Sequence, residues 1–177
     1  MKKIIVISGK QYSGKDTVAK ILLDKFKNFK RIGIGDAIKY EYGAQKNLTF
    51  EEIEKNKHLY RSDLIALGNE GRTKDPDFWL YKLLEMESDI IVPDIRVEHE
   101  LEVFKKQNAF LLRVEASYEA RSKRGNITNA NDITEVALDN YDGWDYVIEN
   151  NSDYETLLKS SESLIKCIEK FYAQDQV

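Results

Sequence analysis

Cys167 is the only cysteine among 177 residues, so no disulfide can form within the chain. Proline is nearly as scarce, at two residues, and no Pro/Ser-rich linker, repeat or low-complexity tract divides the sequence. The two histidines, His58 and His99, lack metal-ligand companions at useful spacing and read as structural or exposed. Positive charge is not in excess. The 27 Lys and Arg against 31 Asp and Glu leave a net charge of −4, which excludes a global basic field for nucleic acid or an anionic membrane. Any anionic ligand must then be gripped by local cations. No apolar run reaches membrane length and no signal peptide is present, so cytoplasmic residence is expected.

What is present suits one soluble domain spanning 1–177. The chain is 42% hydrophobic and 33% charged, and its length allows roughly two-thirds of the unfolded surface to be buried. Short apolar runs at Lys3 to Ser8, Arg31 to Ile34, Asp89 to Pro93, Ala109 to Glu115 and Asp145 to Glu149 read as buried strands. Helical stripes lie between and after them: Val18, Ile21, Leu22 and Phe26, then Leu157, Leu158, Ser161, Leu164, Ile165 and Ile168, with Cys167 beside the last as a packing residue. Thr49 with Glu52 predicts a capping box, and Asp75 with Pro76 predicts another helix start. Alternating strands and helices imply an α/β fold with a mostly parallel sheet, whose ligand site lies at the carboxyl ends of the strands.

The stretch after the first strand carries the chemistry. Gly9-x-x-x-x-Gly14-Lys15 fits a phosphate-binding loop: the glycines let successive N–H groups turn inward, the next helix offers its positive end, and Lys15 adds charge for the outer phosphates. Lys10 and Ser13 belong to the same loop. Asp16 stands where a small hydroxyl residue is usual, and its carboxylate is either a hard Mg²⁺ ligand, directly or through a bound water, or a favourable charge on the helix's first turn. Thr17 is the alternative hydroxyl, about 100° further round the helix.

The motifs "SGKQYSGKDT", "AIKYEYGA", "LYRSDLIALGNEGRTKDPDFW", "IIVPDIRVEHE" and "DGWDYVIENN" resemble two related groups of P-loop kinases over nearly the whole chain. These are the phage-type deoxynucleoside monophosphate kinases and the animal-type phosphomevalonate kinases. "VPDIRVEHE" looks more like the first group, whereas "AIKYEYGAQKNLTF" and "DNYDGWDYVIEN" look more like the second. The resemblance implies a three-layer nucleoside monophosphate kinase-like fold around five strands, with an acceptor-binding helical region at about 36–88 and a lid at about 117–131. It also implies transfer of the γ-phosphoryl group of ATP onto a phosphate monoester. The leading acceptor is a (deoxy)nucleoside monophosphate, with phosphomevalonate as runner-up, and monomer and dimer both remain open.

The resemblance distributes the remaining roles. Asp94 ends an apolar strand as a Walker B acid for Mg²⁺, unless it is only a turn former, and Arg96 completes an Asp-x-Arg arrangement. Arg121, Lys123 and Arg124 form a basic lid in which Arg121 and Arg124 are the candidates to grip the transferred phosphoryl group. Lys39, Arg61, Arg72 and Arg96 are cations for the acceptor, and Tyr40, Tyr42, Tyr60 and Trp79 lie near enough in sequence to stack on a base. Asn150, after the last strand, falls where related kinases wrap adenine. Asp132-Ile-Thr-Glu135 matches part of the family pattern but reads first as a capping box, with Asp132 as the cap and Glu135 at its far end. A phosphate acceptor is mostly a dianion at neutral pH, so no general base is required; Asp94 would fill that role only for an alcohol. A GTPase-like switch is disfavoured because Asn56-Lys57 continues with His58-Leu59 rather than x-Asp.

Overall fold

The computed structural model describes residues 2–174, the side chain of Thr134 apart. In chain order the elements are β1 (Ile4–Ser8), α1 (Lys15–Lys25), β2 (Phe29–Arg31), α2 (Ile34–Lys46), α3 (Phe50–Lys55), α4 (Lys57–Lys74), α5 (Phe78–Leu84), β3 (Asp89–Ile95), α6 (Glu98–Lys105), β4 (Phe110–Glu115), α7 (Tyr118–Arg124), α8 (Ile133–Val136), β5 (Tyr146–Glu149) and α9 (Tyr154–Ala173). The chain divides into two compact units, Ile32–Glu87 and the pair of segments flanking it.

The flanking segments build an α/β unit around a five-stranded sheet of order β2-β3-β1-β4-β5, in which every pairing is parallel. β1 is central and all five of its residues are buried, so both faces must be covered; an unbroken Ile-Ile-Val-Ile run fits that position better than an alternating pattern would. Val18, Ala19, Ile21 and Leu22 of α1 pack with Leu157, Leu164 and Ile168 of α9 onto Ile5, Ile7, Ile91 and Phe110. Each of these side chains larger than Ala19 contributes about 1.5–3 kcal/mol relative to exposure. α6 packs against β1 and β4. At the end of α9, the Tyr172 hydroxyl accepts the Ile4 and Phe110 N–H groups and donates to the Ile4 carbonyl.

Three local expectations are corrected. The second strand is Phe29–Arg31 rather than Arg31 to Ile34, because buried Phe29 pairs with Asp89 while the Gly33 N–H donates to the Asp36 carboxylate and starts α2. Asp75 does not start α5: its carboxylate accepts the Asp77 N–H in a turn, and the helix begins at Phe78. Leu158 is 40% exposed, off the buried stripe of α9. The Thr49 capping box forms as predicted, with the Glu52 carboxylate on the Thr49 N–H at 2.7 Å and the Thr49 hydroxyl accepting the Glu52 N–H at 3.2 Å.

The unit Ile32–Glu87 is helical, with α2 packed against α3, α4 and α5. Trp79 anchors it at 2% exposure, its indole N–H donating to the Gly68 carbonyl at 2.9 Å. Gly71 admits that ring: a Cβ there would lie 2.5 Å from the indole nitrogen.

Candidate active site

β1 delivers its chain into residues 9–14, and α1 begins at Lys15 without a side-chain cap, leaving its first N–H groups open to an anion. Gly14 makes the turn at φ +100°, where a Cβ would also strike the Asn150 amide nitrogen at 2.3 Å. The Ser13 hydroxyl is buried without a hydrogen-bond partner among the described residues. Lys15 bends back over the loop, its Nζ donating to the carbonyls of Gly9 at 2.6 Å and Lys10 at 3.0 Å. Burial pushes its pKa down to about 8, helped by Arg96 and Arg113 and opposed by Glu135 and Asp16. Open amides, an unpartnered hydroxyl and a desolvated cation form a cradle that fits a chain of phosphates.

A cavity of about 560 Å³ opens beside this loop, lined by Lys15, Asp16, Thr17, Asp94, Arg96 and Arg124 among others. Six residues read from three separate stretches of sequence therefore converge. Asp94 reaches the wall where the β1–β3 register slips: Val6 pairs with Val92 but Ser8 with Ile95, so one extra β3 residue is accommodated. Asp16 is mostly exposed, and its carboxylate accepts from Arg31 at 3.0 Å; Arg31, absent from the sequence reading of the site, also lines the cavity. Among the described residues no three His, Cys, Asp or Glu side chains group as a metal cage. Two carboxylates and a hydroxyl beside a phosphate cradle do fit Mg²⁺, which takes few protein ligands and completes its shell with phosphate oxygens and water.

Several expected ligands hold the loop instead. Lys10 pairs its ammonium with Asp139 at 2.6 Å. Asn150 is buried and donates to the Ser13 carbonyl at 2.8 Å, bracing the loop rather than lying open to adenine. α7 is capped by Ser117, whose hydroxyl accepts the Ala120 N–H. Its Arg121 is 7% exposed and donates to the Gln11 carbonyl at 3.2 Å, with its guanidinium over the Tyr118 ring. Arg124 donates to the carbonyls of Tyr12 at 3.3 Å and Asn150 at 2.7 Å while still facing the cavity. Between α7 and the segment after β5 lies a second cavity of about 410 Å³, lined by Lys123, Arg124, Asn151 and Ser152 among others.

Glu135 overturns its reading as the end of a capping box. Its carboxylate turns away from α8, one oxygen accepting from Arg96 and the other from the Gln11 N–H at 2.8 Å, while the Asp132 N–H donates to Asn129. Buried Arg113, also missed, donates to Glu115 at 2.6 Å and to the Ser8 hydroxyl at 3.2 Å. Both histidines are exposed.

The helical unit has its own cavity, about 410 Å³, with Lys39, Lys57, Arg61, Asn69 and Arg72 around Ile38, Leu64 and Ile65. Lys57 and Asn69 were missed, although positions 57, 61, 64, 68 and 72 follow helical spacing along one face of α4. Arg61 and Arg72 have no carboxylate partner among the described residues, whereas Lys39 is held by Asp36 at 2.9 Å and Glu54 at 2.5 Å. Burial alone would lower the Lys39 pKa; those two hydrogen bonds overcome it and raise it. The expected stacking aromatics do not line this cavity. Trp79 is buried, Tyr42 is 5% exposed with its hydroxyl on Asp63, Tyr60 tilts against Tyr42, and Tyr40 stacks on Phe50.

Comparison with known proteins bears on the family and the fold. A family model described as phosphomevalonate kinase matches residues 7–110, and one described as deoxynucleotide monophosphate kinase matches residues 74–160. Phosphomevalonate kinase of Drosophila melanogaster is 28% identical over 171 residues, covering 86% of this chain and 90% of the relative. Shikimate kinase from Aquifex aeolicus shares the fold, with a TM-score of 0.52 at 18% identity over 92% of this chain and 96% of its own. The chain is thus a P-loop kinase that uses ATP and phosphorylates a small molecule already bearing a phosphate. Because residues 7–110 exceed half of the sequence and take in the loop, the helical unit and the end of β3 alike, the chain belongs to the phosphomevalonate kinase family.

Proposed function

We propose that the acceptor is a small acyclic phosphate ester carrying a second anionic group, phosphomevalonate being the instance, and that the product is its diphosphate. The observation that carries this is the cavity of the helical unit, whose lining is mostly cationic and aliphatic, with no aromatic side chain among the described residues. A nucleobase would want a stacking partner there; an acyclic bis-anion wants paired donors at two ends, which Arg61 and Arg72 supply. The deoxynucleotide monophosphate kinase match at 74–160 favours a nucleoside monophosphate as the second reading.

The loop amides, Ser13 and Lys15 would hold the ATP phosphates, and Asp94 with Asp16 or Thr17 would hold Mg²⁺. Bound there, the ion neutralises charge on the phosphate oxygens. Arg96 and Arg124, both at the cavity wall, would meet the equatorial oxygens of the transferred group. The acceptor oxygen attacks as a dianion, so Asp94 needs no basic role. No helix among the described residues is long and apolar enough to cross a membrane, and cytoplasmic residence is part of the proposal. A panel of phosphomevalonate and ribo- and deoxyribonucleoside monophosphates, scored by acceptor-dependent ADP formation, tests the reading. Phosphomevalonate should have the highest kcat/KM. A nucleotide that exceeds it overturns the acceptor assignment and leaves the kinase standing.

A further inference from the structure

Glu135 is absent from the cavity lining, yet its side chain is only 4% exposed and both carboxylate oxygens are committed. One accepts from Arg96 Nη1 at 2.5 Å and the other from the Gln11 N–H at 2.8 Å. Both partners also line the cavity, Gln11 in the loop after β1 and Arg96 just past the end of β3. The segment that carries Glu135 is itself tied to the loop. The Gln11 amide donates to the Thr128 carbonyl at 2.8 Å and accepts the Thr128 N–H at 3.2 Å, and Asp139 pairs with Lys10. A buried carboxylate with two such partners is costly to leave half satisfied, so the geometry it imposes is stiff.

We propose that Glu135 is a positioning residue for phosphoryl transfer: it ties the Arg96 guanidinium to the P-loop backbone at Gln11 and so fixes where that guanidinium stands relative to the loop. With Nη1 fixed to Glu135, the rest of the guanidinium keeps one orientation toward the cavity. The benefit arises in the transition state, where donors already in place need no reorganisation. This rests on the reading of Arg96 and the loop as phosphate-binding groups.

The test is kinetic. In the full-length protein, Glu135→Gln keeps the size but offers one acceptor where two are used. It should lower kcat about 10- to 100-fold, the scale of a misplaced catalytic group, while KM for ATP changes less than about threefold. Arg96→Gln and the double variant close the cycle. If Glu135 acts through Arg96, Arg96→Gln and the double variant will share the same kcat. The double variant leaves no buried unpaired charge, so it reports even where a single variant fails to fold: a kcat within about threefold of wild type in it also overturns the proposal. Wild-type kcat in a folded Glu135→Gln protein, or a further tenfold loss from Arg96→Gln to the double variant, overturns the proposal. Wild-type protein without acceptor-dependent ADP formation would instead sink the kinase reading, and this inference with it.

Discussion

Trp79 commits its one polar atom to the Gly68 carbonyl and its ring to the space above Gly71. Trp79→Phe removes that donor and leaves a buried carbonyl without it, so stability should fall by about 1–3 kcal/mol with KM for the acceptor unchanged. Denaturant melts and steady-state kinetics separate the outcomes: a raised acceptor KM at wild-type stability would return Trp79 to the substrate site. Lys15→Ala should do the reverse, leaving a folded protein that has lost most of its turnover, since on the proposed reading the ammonium is there for the ATP phosphates. Near-wild-type turnover in that variant would end the P-loop assignment. The loop was legible because Gly9, Gly14 and Lys15 keep fixed local spacing after an apolar run. Asn150 and Glu135 were not legible in the same way, because their partners lie 137 and 39 positions away. No local pattern encodes a contact of that separation.

Among the elements, α7 and α9 show how burial decides what a residue type does. Arg121 and Arg124 sit three apart on one short helix, but only Arg124 lines the cavity. Arg124→Ala should therefore lower kcat, and Arg121→Ala should act through the slackened loop and raise KM for ATP; equal kcat losses with unchanged KM would refute this division of roles. On α9, burial pushes the Tyr172 hydroxyl up to about 12 from an ordinary 10.0. The native state then keeps a proton that the unfolded chain loses above pH 10. Native binding of more protons makes stability fall as pH rises from about 10 to 12, by up to about 2–3 kcal/mol. Tyr172→Phe should lack that part of the decline, so that the two proteins' stability profiles differ in slope between about pH 10 and 12, and parallel profiles across that range would contradict it. Element boundaries were harder to read than element types. Ile32, Gly33 and Ile34 look like strand by alternation, yet the Gly33 N–H and Asp36 carboxylate start a helix there.

For the molecule as a whole, alternation of strands and helices sufficed to indicate a parallel sheet with its site at the strand ends. The face of α4 that lines the cavity of the helical unit was only partly read: Arg61 and Arg72 were named from it, whereas Lys57, one turn before Arg61, was weighed only in the Asn56-Lys57 pair. The sheet order has a consequence for synthesis. The central strand is made first and its neighbours late: Ile4 pairs with Ile90, 86 positions on, and Ile5 with Phe110, 105 positions on. At about 5–20 residues per second, Ile4 waits roughly 4–17 s for its first partner. During that time the most apolar stretch of the sheet has nothing to pair with, and a chaperone or a second nascent chain competes for it. Ribosome-stalled chains with residue 88 just outside the tunnel should leave Ile4–Ser8 open to a protease, and chains with residue 115 outside the tunnel should protect it. Early protection would mean that β1 finds cover other than its own sheet.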